Sequence, residues 1–291
     1  MATVQESSII RAVSHPEPLV SMIIPSLDGY RQGNVPKLVE QVRAAHFESC
    51  ELILVEGVRP NGKARDEGVR NAKGKFYIFL DDDVTLGSKN IVEALIRPFL
   101  QDREGKIGLT GASYLLPPDA GAFQKKVAAQ IPRVECPVVS KPTESDMVCH
   151  ACLAVSAEVY RKAGGENREL ASGTDPDFKE RIRRQGYRVL LVPNAWVYMP
   201  TYKNFSDLCR KAWSAGKNSA LTQALFPHRV HFSAENLQER PSAFPGLPGR
   251  IYSSLRKIFA ALLKGHWLYI ANRSGYALGY LAGRFQTEKK S

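Results

Sequence analysis

The chain has 291 residues, of which 44% are hydrophobic and 24% charged, a composition typical of a globular protein. Its net charge is +11, and residues 250–291 contribute +7 of it through eight Lys or Arg and one acid. No stretch reaches the roughly 18 uninterrupted apolar residues that a membrane-spanning helix needs, so such a helix is not expected. The first residues do not follow the pattern of a secretory signal peptide, and an odd number of cysteines, five, favours a reducing, cytoplasmic location.

Residues 1–18 are expected to form an irregular leader, and the chain then alternates strand-like apolar runs with amphipathic helical segments. The strands are predicted near 19–24, 51–55, 76–80 and 107–110, and the helices near 34–42, 64–72 and 88–99. This alternation through more than three βα units predicts a doubly wound α/β fold with a mainly parallel sheet. The glycine-rich dinucleotide and P-loop signatures are both absent from the sequence, so these common nucleotide-binding classes lose support.

Three consecutive carboxylates, Asp81, Asp82 and Asp83, follow directly after the strand predicted at 76–80. Ligands of open α/β sheets bind beyond the carboxyl ends of the strands, and adjacent carboxylates repel one another unless a cation is near. Carboxylate oxygens that also face a diphosphate suit Mg²⁺ or Mn²⁺. The alternative is a solvated acidic turn that ends the strand, and the triplet alone does not choose between the two.

The second half of the chain departs from this alternation, beginning with an irregular stretch predicted at 113–146. The elements predicted after it are a strand at 147–155, a short helix after Ser156, a helix that opens near Asp175, strands at 188–192 and 195–198, and a long helix at 205–226. We therefore expect one α/β domain at 19–232, a proline-rich linker at 233–249 and a basic helical tail at 250–291.

Cys149 and Cys152 form a C-x-x-C pair inside the apolar run at 147–155. Residues three apart on a strand face opposite sides of the sheet, and no second pair completes a zinc site. The pair is therefore interpreted as two buried thiols rather than as a metal or redox site.

Two amphipathic helices are predicted in the basic tail. Gly275, Gly279 and Gly283 recur every four residues and form a smooth ridge that allows close helix packing. Basic side chains beside Trp and Tyr suit a helix that lies on an anionic membrane surface. The alternative is a helical hairpin that docks on the protein's own surface.

Several short motifs occur in a fixed order along the chain. They are Pro25-Ser26-Leu27-Asp28, Ala64-Arg65-Asp66-Glu67-Gly68, the run from Gly74 to Asp83, the run from Ala151 to Gly165, Ser172-Gly173-Thr174-Asp175-Pro176-Asp177, and the run from Arg183 to Pro193. Together they resemble the family 2 glycosyltransferases of the GT-A fold over roughly residues 19–220. The resemblance implies a nucleotide-sugar donor, with UDP favoured, a divalent Mg²⁺ or Mn²⁺ ion, and inverting transfer to a glycan or lipid-linked acceptor.

The resemblance also assigns roles to individual residues. Those assigned to the nucleotide are Pro25, Ser26, Asp28, Glu56, Arg65, Asp81 and Asp82. Asp83 is assigned to the metal, and Asp175 to the general base beside the acceptor. Each also has a simpler interpretation, such as a turn residue, a solvated strand end, an exposed helix residue or, for Asp175, a helix N-cap.

The chemistry of glycosyl transfer gives reasons for the same assignments. A leaving nucleoside diphosphate gains negative charge, which a metal held by Asp83 neutralises. One carboxylate beside the acceptor hydroxyl, here Asp175, suffices as the base for direct attack with inversion. One departure is Met199, which follows Tyr198 where many family members carry a metal-binding His, so metal binding is expected to rest on Asp83, the diphosphate and water.

The sequence therefore predicts a metal-assisted inverting glycosyltransferase that acts peripherally at the inner face of the cell membrane, for example in polysaccharide biosynthesis. The alternative is a non-catalytic nucleotide-sugar-binding or scaffold protein of the same fold, which the missing His would support. Nucleic-acid binding through the tail is not expected, because the sequence holds no recognisable recognition module.

Overall fold

A computed structural model describes residues 8–288 except 46, 48, 171–172 and 226–246. The strands are β1 (Ser8–Val13), β2 (Val20–Ser26), β3 (Cys50–Glu56), β4 (Phe76–Leu80), β5 (Thr85–Leu86), β6 (Ile107–Leu115), β7 (Thr143–Glu144), β8 (Cys152–Ser156) and β9 (Arg188–Tyr198). The helices are α1 (Asn34–Arg43), α2 (Asn61–Arg70), α3 (Ile91–Gln101), α4 (Ala122–Gln130), α5 (Ala157–Lys162), α6 (Thr174–Arg184), α7 (Phe205–Leu225), α8 (Leu247–Leu263) and α9 (Trp267–Glu288), with a 3-10 turn at Arg31–Gly33. The predicted α/β class is confirmed, and the two strands predicted at 188–192 and 195–198 form the single strand β9.

The strands form one mixed sheet in the order β1-β3-β2-β4-β8-β6-β9-β5, with β7 paired to β9. Strands β3, β2 and β4 run parallel, as do β6 and β9. Strand β8 lies between β4 and β6 and is antiparallel to both, and β1, β5 and β7 also pair antiparallel. The sheet is thus less uniformly parallel than the sequence predicts, because the apolar content of a strand does not encode its direction.

The core lies between the sheet and the helices on its faces. Helix α1 buries an apolar stripe at helical spacing, Val35, Leu38, Val39 and Val42. The central strands are buried along nearly their whole length, as expected for strands covered on both faces. This packing fixes the carboxyl ends of β2, β3 and β4 side by side at one edge of the sheet.

Pro25 lies inside β2 rather than ending it, and it faces Val55 of β3. The pairing of β2 with β4 stops at Ile23, so β2 has only one neighbour at the position of Pro25. A proline is tolerated there because its missing N–H group falls where no ladder bond is needed.

The expectation of an irregular leader is wrong for residues 8–13. This segment is the edge strand β1, which pairs antiparallel with β3 and places Ser8 opposite Glu56. The strand is short and mostly exposed, so its sequence carries little of the apolar alternation that marks a strand.

The described residues fall into two compact units. The first comprises 8–115 and Cys136–Met199 and contains the whole sheet. The second comprises Leu116–Glu135, 200–225 and 247–288 and contains α4, α7, α8 and α9. Most of the predicted linker at 233–249 lies outside the described residues.

In the second unit, α9 packs along α7 through the predicted glycine ridge. A Cβ atom at Gly279 would overlap the backbone carbonyl of Trp213, and one at Gly216 would overlap that of Tyr276. Close packing through this ridge is therefore confirmed. A small apolar core of Val127, Ile131, Leu208 and Leu268 joins α4, α7 and α9. None of the described helices is long and apolar enough to cross a membrane.

Candidate active site

The ends of β2 and β3 bring Ser26 and Glu56 side by side in register. The Ser26 hydroxyl donates to Oδ2 of Asp82 at 2.9 Å, which ties the end of β2 to the acidic triplet. Glu56 accepts a 2.8 Å hydrogen bond from Ser8 Oγ, and its carboxylate lies directly against Gly29. Any side chain at Gly29 would collide with this carboxylate, so the glycine is what lets the loop after β2 close onto β3.

Asp28 is exposed and uses its carboxylate to hold its own loop. Its Oδ1 atom accepts from the backbone N–H groups of Tyr30 and Arg31 at 3.0 and 2.8 Å. These amide donors, that of Arg31 first, lower the pKa of Asp28. Its contacts are those of a turn residue, and they leave its carboxylate on the same loop as Gly29.

The acidic triplet is a tethered turn rather than a freely solvated one. The Asn34 side-chain amide donates to the carbonyls of Asp82 and Val84 at 2.9 and 2.8 Å, which closes the turn. The Arg31 guanidinium lies 3.5 Å from Asp82 Oδ1 and 3.4 Å from Asp83 Oδ2. Burial, followed for Asp83 by the charge of Asp81, raises the pKa of both Asp82 and Asp83.

Arg65 links the triplet to helix α6. It is 3% exposed, so the interpretation of it as an exposed helix-start residue is wrong. Its Nη2 atom donates to Asp81 Oδ1 at 2.7 Å, and its Nη1 atom donates to Thr174 Oγ1 at 3.3 Å. Burial opposes its charge, but the carboxylates of Asp81, Glu166 and Asp175 favour it and raise the pKa of Arg65 overall.

Asp175 lies in the first turn of α6, where the positive end of the helix dipole favours an anion. The N-cap of this helix is Gly173, so the interpretation of Asp175 as an N-cap is wrong. Its Oδ1 atom accepts two hydrogen bonds from His150, one from the backbone N–H at 2.7 Å and one from ring Nδ1 at 2.6 Å. About a third of its side chain, 35%, remains exposed.

Two residues that the sequence analysis did not single out complete this part of the site. His150 is 1% exposed, and its Nε2 atom lies 2.6 Å from Oε1 of the fully buried Glu166. Burial and Arg65 oppose a charge on the ring, but Glu166 and Asp175 outweigh them and raise the pKa of His150 to about 9. For Asp175, burial opposes ionisation, yet the charge and hydrogen bond of His150, with Lys179 and Arg65, lower its pKa. A histidine inside an apolar run needs polar partners when buried, and that was the available signal.

Cys149 and Cys152 are free thiols, and burial raises the pKa of both, that of Cys149 to about 12. Protonated thiols are poor metal ligands and poor nucleophiles, which agrees with the structural interpretation of the pair.

The donor set for a divalent cation is small. In the part of the chain that the structure describes, no group of three or more His, Cys, Asp or Glu is arranged to hold a metal. Met199 packs against the hydrophobic core rather than supplying a ligand. Mg²⁺ is commonly held by one or two carboxylates plus substrate phosphates, and the half-buried carboxylates of Asp82 and Asp83 fit that arrangement. The site therefore fits a metal that a diphosphate helps to hold, and not a metal held by protein groups alone.

Residues 33–162 match the sequence model of a glycosyltransferase-like family. The sequence has no significant match among curated proteins. Among solved structures, the mannosyltransferase PcManGT of Pyrobaculum calidifontis, crystallised with GDP-Man and Mn²⁺, is similar at a TM-score of 0.50 and 13% identity over 94% of this chain and 88% of that one. GalNAc-T7, crystallised with UDP, GalNAc and Mn²⁺, is similar at a TM-score of 0.46 and 16% identity over 73% of this chain and 51% of that one. TarS of S. aureus is similar at a TM-score of 0.44 and 12% identity over 94% of this chain and 92% of that one.

The match to the family model covers β4, the acidic triplet and β8, while the likeness to PcManGT shows that the fold is shared. Together they show that the chain has the fold of a GT-A glycosyltransferase and that its residues 33–162 are similar to a glycosyltransferase-like family.

Proposed function

We propose that this protein is a glycosyltransferase that moves a sugar from a nucleoside-diphosphate donor to a hydroxyl acceptor with inversion, and that Asp175 is the general base. The observation that carries the proposal is the state of Asp175. Its Oδ1 atom is held by His150, its pKa is lowered, and its side chain is still partly exposed. A fixed, ionised and accessible carboxylate is what a base for an attacking hydroxyl requires.

The donor is proposed to bind across the ends of β2, β3 and β4. Ser26 and Glu56 lie at adjacent strand ends, and Asp82 is hydrogen-bonded to Ser26. Arg65 and Asp81 form the neighbouring ion pair. Ligands of open α/β sheets bind at this edge, which supports placing the nucleotide here, with Pro25 and Asp28 shaping its loop. PcManGT, which shares the fold, was crystallised with GDP-Man, whereas the sequence resemblance favours UDP, so the test below includes both nucleotides.

A divalent cation, Mg²⁺ or Mn²⁺, is proposed to be held by Asp83 together with the donor diphosphate. When bound, such a cation neutralises the negative charge that develops on the leaving diphosphate. The raised pKa of Asp83 reflects a carboxylate that is partly withdrawn from water among other acids. A cation at this position would relieve that repulsion.

In the proposed reaction, the acceptor oxygen attacks the anomeric carbon while its proton passes to Asp175. A new carbon–oxygen bond forms, and the bond to the donor phosphate breaks with its electron pair leaving on the nucleoside diphosphate. Attack opposite the leaving group inverts the anomeric centre, and a second acid is not needed because a diphosphate leaves readily. Asp175 must therefore be ionised before attack, which its lowered pKa ensures.

A donor panel tests this proposal. We expect the purified protein with Mn²⁺ to turn over one nucleotide sugar, by transfer or by slow hydrolysis, and Asp175→Asn to lose at least about 100-fold in rate while still binding the nucleotide. A thermal-shift measurement with UDP, GDP and other nucleoside diphosphates reports that binding separately. Nucleotide binding without turnover of any donor would instead support the non-catalytic alternative, which the Met199 position favours.

We also propose that the second unit binds an anionic lipid surface, which would bring the enzyme to a lipid-linked or growing glycan acceptor. Four large apolar side chains near the junction of α8 and α9 are more than half exposed: Leu255, Phe259, Leu263 and Trp267. Arg256 on α8 and Lys264, directly after α8, lie among them in the sequence, and residues 250–287 contain no acid. An exposed apolar stripe between basic side chains is the pattern of a helix at a membrane interface.

Vesicle flotation tests the lipid proposal. We expect the protein to float with vesicles containing phosphatidylglycerol and much less with phosphatidylcholine alone. Phe259→Glu should abolish flotation, whereas Leu100→Glu, at an equally exposed apolar residue of α3, should not. Equal flotation of both variants, or retention on RNA at the same salt concentration with none on vesicles, would exclude the lipid surface.

A further inference from the structure

His150, Glu166 and Asp175 form a continuous chain of hydrogen-bonding groups. The His150 ring lies between the two carboxylates, 2.6 Å from Asp175 Oδ1 on one side and 2.6 Å from Glu166 Oε1 on the other. Exposure rises along this row of hydrogen-bonded groups, since the side chains of Glu166, His150 and Asp175 are 0%, 1% and 35% exposed. The hydrogen-bonded row therefore runs from the protein interior to the surface where the acceptor is proposed to bind.

The imidazole ring is fixed by its surroundings as well as by these bonds. It packs against Phe79 and Phe178, with ring centroids 5.6 and 5.9 Å away. Glu166 is held in turn, because its backbone N–H donates to the Tyr160 hydroxyl at 3.1 Å. A ring wedged between two aromatic side chains and two carboxylates has little freedom to rotate.

The charges that face this cluster come from several elements. Arg65 of α2 and Lys179 of α6 add positive charge, and Asp81 at the end of β4 pairs with Arg65. Cys149, which directly precedes His150 in the sequence, is a protonated thiol. Within the described residues, the other carboxylate oxygen of Glu166, Oε2, has no hydrogen-bond partner, so His150 is the group that satisfies this buried acid directly.

We propose that His150 and Glu166 are a positioning pair for the base: Glu166 holds the His150 ring, and His150 holds Oδ1 of Asp175 so that Oδ2 faces the acceptor hydroxyl. This proposal rests on the proposed function. Both hydrogen bonds to the Asp175 carboxylate, from the His150 backbone and from its ring, end on Oδ1, which leaves Oδ2 without a hydrogen bond in the described part of the chain. The acceptor proton goes to Oδ2, the resulting carboxylic acid keeps its bonds to His150, and no proton is passed to Glu166.

The first test is the pH dependence of transfer. His150→Gln keeps an N–H donor for Asp175 but removes the ring and its positive charge. Burial then acts on Asp175 without that counter-charge, so its pKa rises and the acid limb of the rate profile moves up by at least one pH unit. We expect the rate to fall about 10- to 100-fold near neutral pH, as for other residues that orient a reacting group, with the donor KM changed less than twofold.

The second test asks whether His150 acts through Asp175. In the Asp175→Asn background, His150→Gln should lower the residual rate by less than twofold, because the group that it positions is already inactive. The control is Lys162→Gln, which removes an exposed ion pair with Glu158 on α5 and should leave the transfer rate and its pH profile unchanged. Multiplicative effects of His150→Gln and Asp175→Asn would overturn the proposal.

A substrate-free measurement separates this proposal from the proposed function. In NMR of the imidazole nitrogens of the protein's six histidines, one ring should stay cationic through neutral pH. Glu166→Gln and Asp175→Asn should each lower its midpoint by one unit or more. A titration below pH 7 that neither variant shifts would overturn the pair. If the NMR result holds but no donor is turned over, the proposed function fails while the His150–Glu166 pair stands as a structural feature. If the His150→Gln variant does not fold, the NMR titrations of Glu166→Gln and Asp175→Asn decide.

Discussion

The guanidinium of Arg65 and the carboxylate of Asp81 form a 2.7 Å ion pair in which the arginine is 3% exposed and the carboxylate is about one-third exposed. The pair connects the end of β4 to α2, and through Thr174 to the start of α6. The proposed nucleotide site and the helix that carries the proposed base are therefore joined by one buried side chain.

Because Asp81 is the direct partner of a buried arginine, substitutions within the acidic triplet should change the free energy of unfolding by unequal amounts. Asp81→Asn leaves a buried cation without its direct partner, and we expect the free energy of unfolding to fall by about 2 kcal/mol, less than for a fully buried pair because Asp81 is partly solvated. Asp82→Asn should change the free energy of unfolding by less than about 1 kcal/mol, because its partners are a serine and the exposed Arg31 and because burial, which raises the pKa of Asp82, already opposes its charge. Urea unfolding of the two variants checks this, and equal losses would contradict the role of Arg65.

Asp83→Asn should stabilise the ligand-free protein at pH 7. Burial and the charge of Asp81 raise the pKa of Asp83 in the folded state. At a pH above the pKa that Asp83 has in the unfolded chain, its ionisation therefore opposes folding, and a neutral asparagine removes that opposition. Below about pH 3.8 the acid is protonated in both states, and the difference should vanish. Melting temperatures from pH 3 to 8 test the sign. The same variant should lose the extra stabilisation that Mn²⁺ gives with a nucleoside diphosphate, and a destabilised apo variant would contradict the prediction.

Arg31→Ala should strengthen metal binding in the absence of nucleotide. Its guanidinium lies 3.5 and 3.4 Å from Asp82 and Asp83, where it competes with a cation. An exposed ion pair contributes on the order of 0.5 kcal/mol, so Mn²⁺ affinity should rise roughly twofold. Isothermal titration with Mn²⁺ measures the effect, with Arg97→Ala, an exposed arginine on α3, as the control. Weaker binding in Arg31→Ala would indicate that the arginine organises the carboxylates instead of competing for them.

Gly279→Ala should destabilise the second unit, although the same change in an open helix position usually stabilises by about 1 kcal/mol. The added methyl would overlap the carbonyl of Trp213 and separate α9 from α7. The control Gly121→Ala, at the N-cap of α4 in the same unit, meets no atom within 4 Å and should cost at most about 1 kcal/mol. Thermal unfolding followed by tryptophan fluorescence, to which Trp213 and Trp267 of this unit and Trp196 of the first contribute, compares the two. An unchanged or raised melting temperature for Gly279→Ala would contradict the packing.

The sequence was informative wherever chemistry coincides with a regular pattern. The acids after β4 and the helix start at Asp175 were found because strand ends and helix starts are readable from apolar periodicity. Strand direction was not, so the antiparallel insertion of β8 was missed. His150 and Glu166 were missed for a different reason, since their partners are 16 to 25 positions away and only the folded chain shows which distant groups meet.

The linear order of these groups has a consequence for how such an enzyme can change. The residues proposed to hold the donor all precede Val84, whereas His150, Glu166 and Asp175 fall between Val148 and Phe178. The matched family segment ends at residue 162, before Glu166 and Asp175. A graft of residues 145–184 from a relative would thus exchange the proposed acceptor side as one segment, provided that it still fits Arg65, Asp66 and Phe79, which contact it from the donor half.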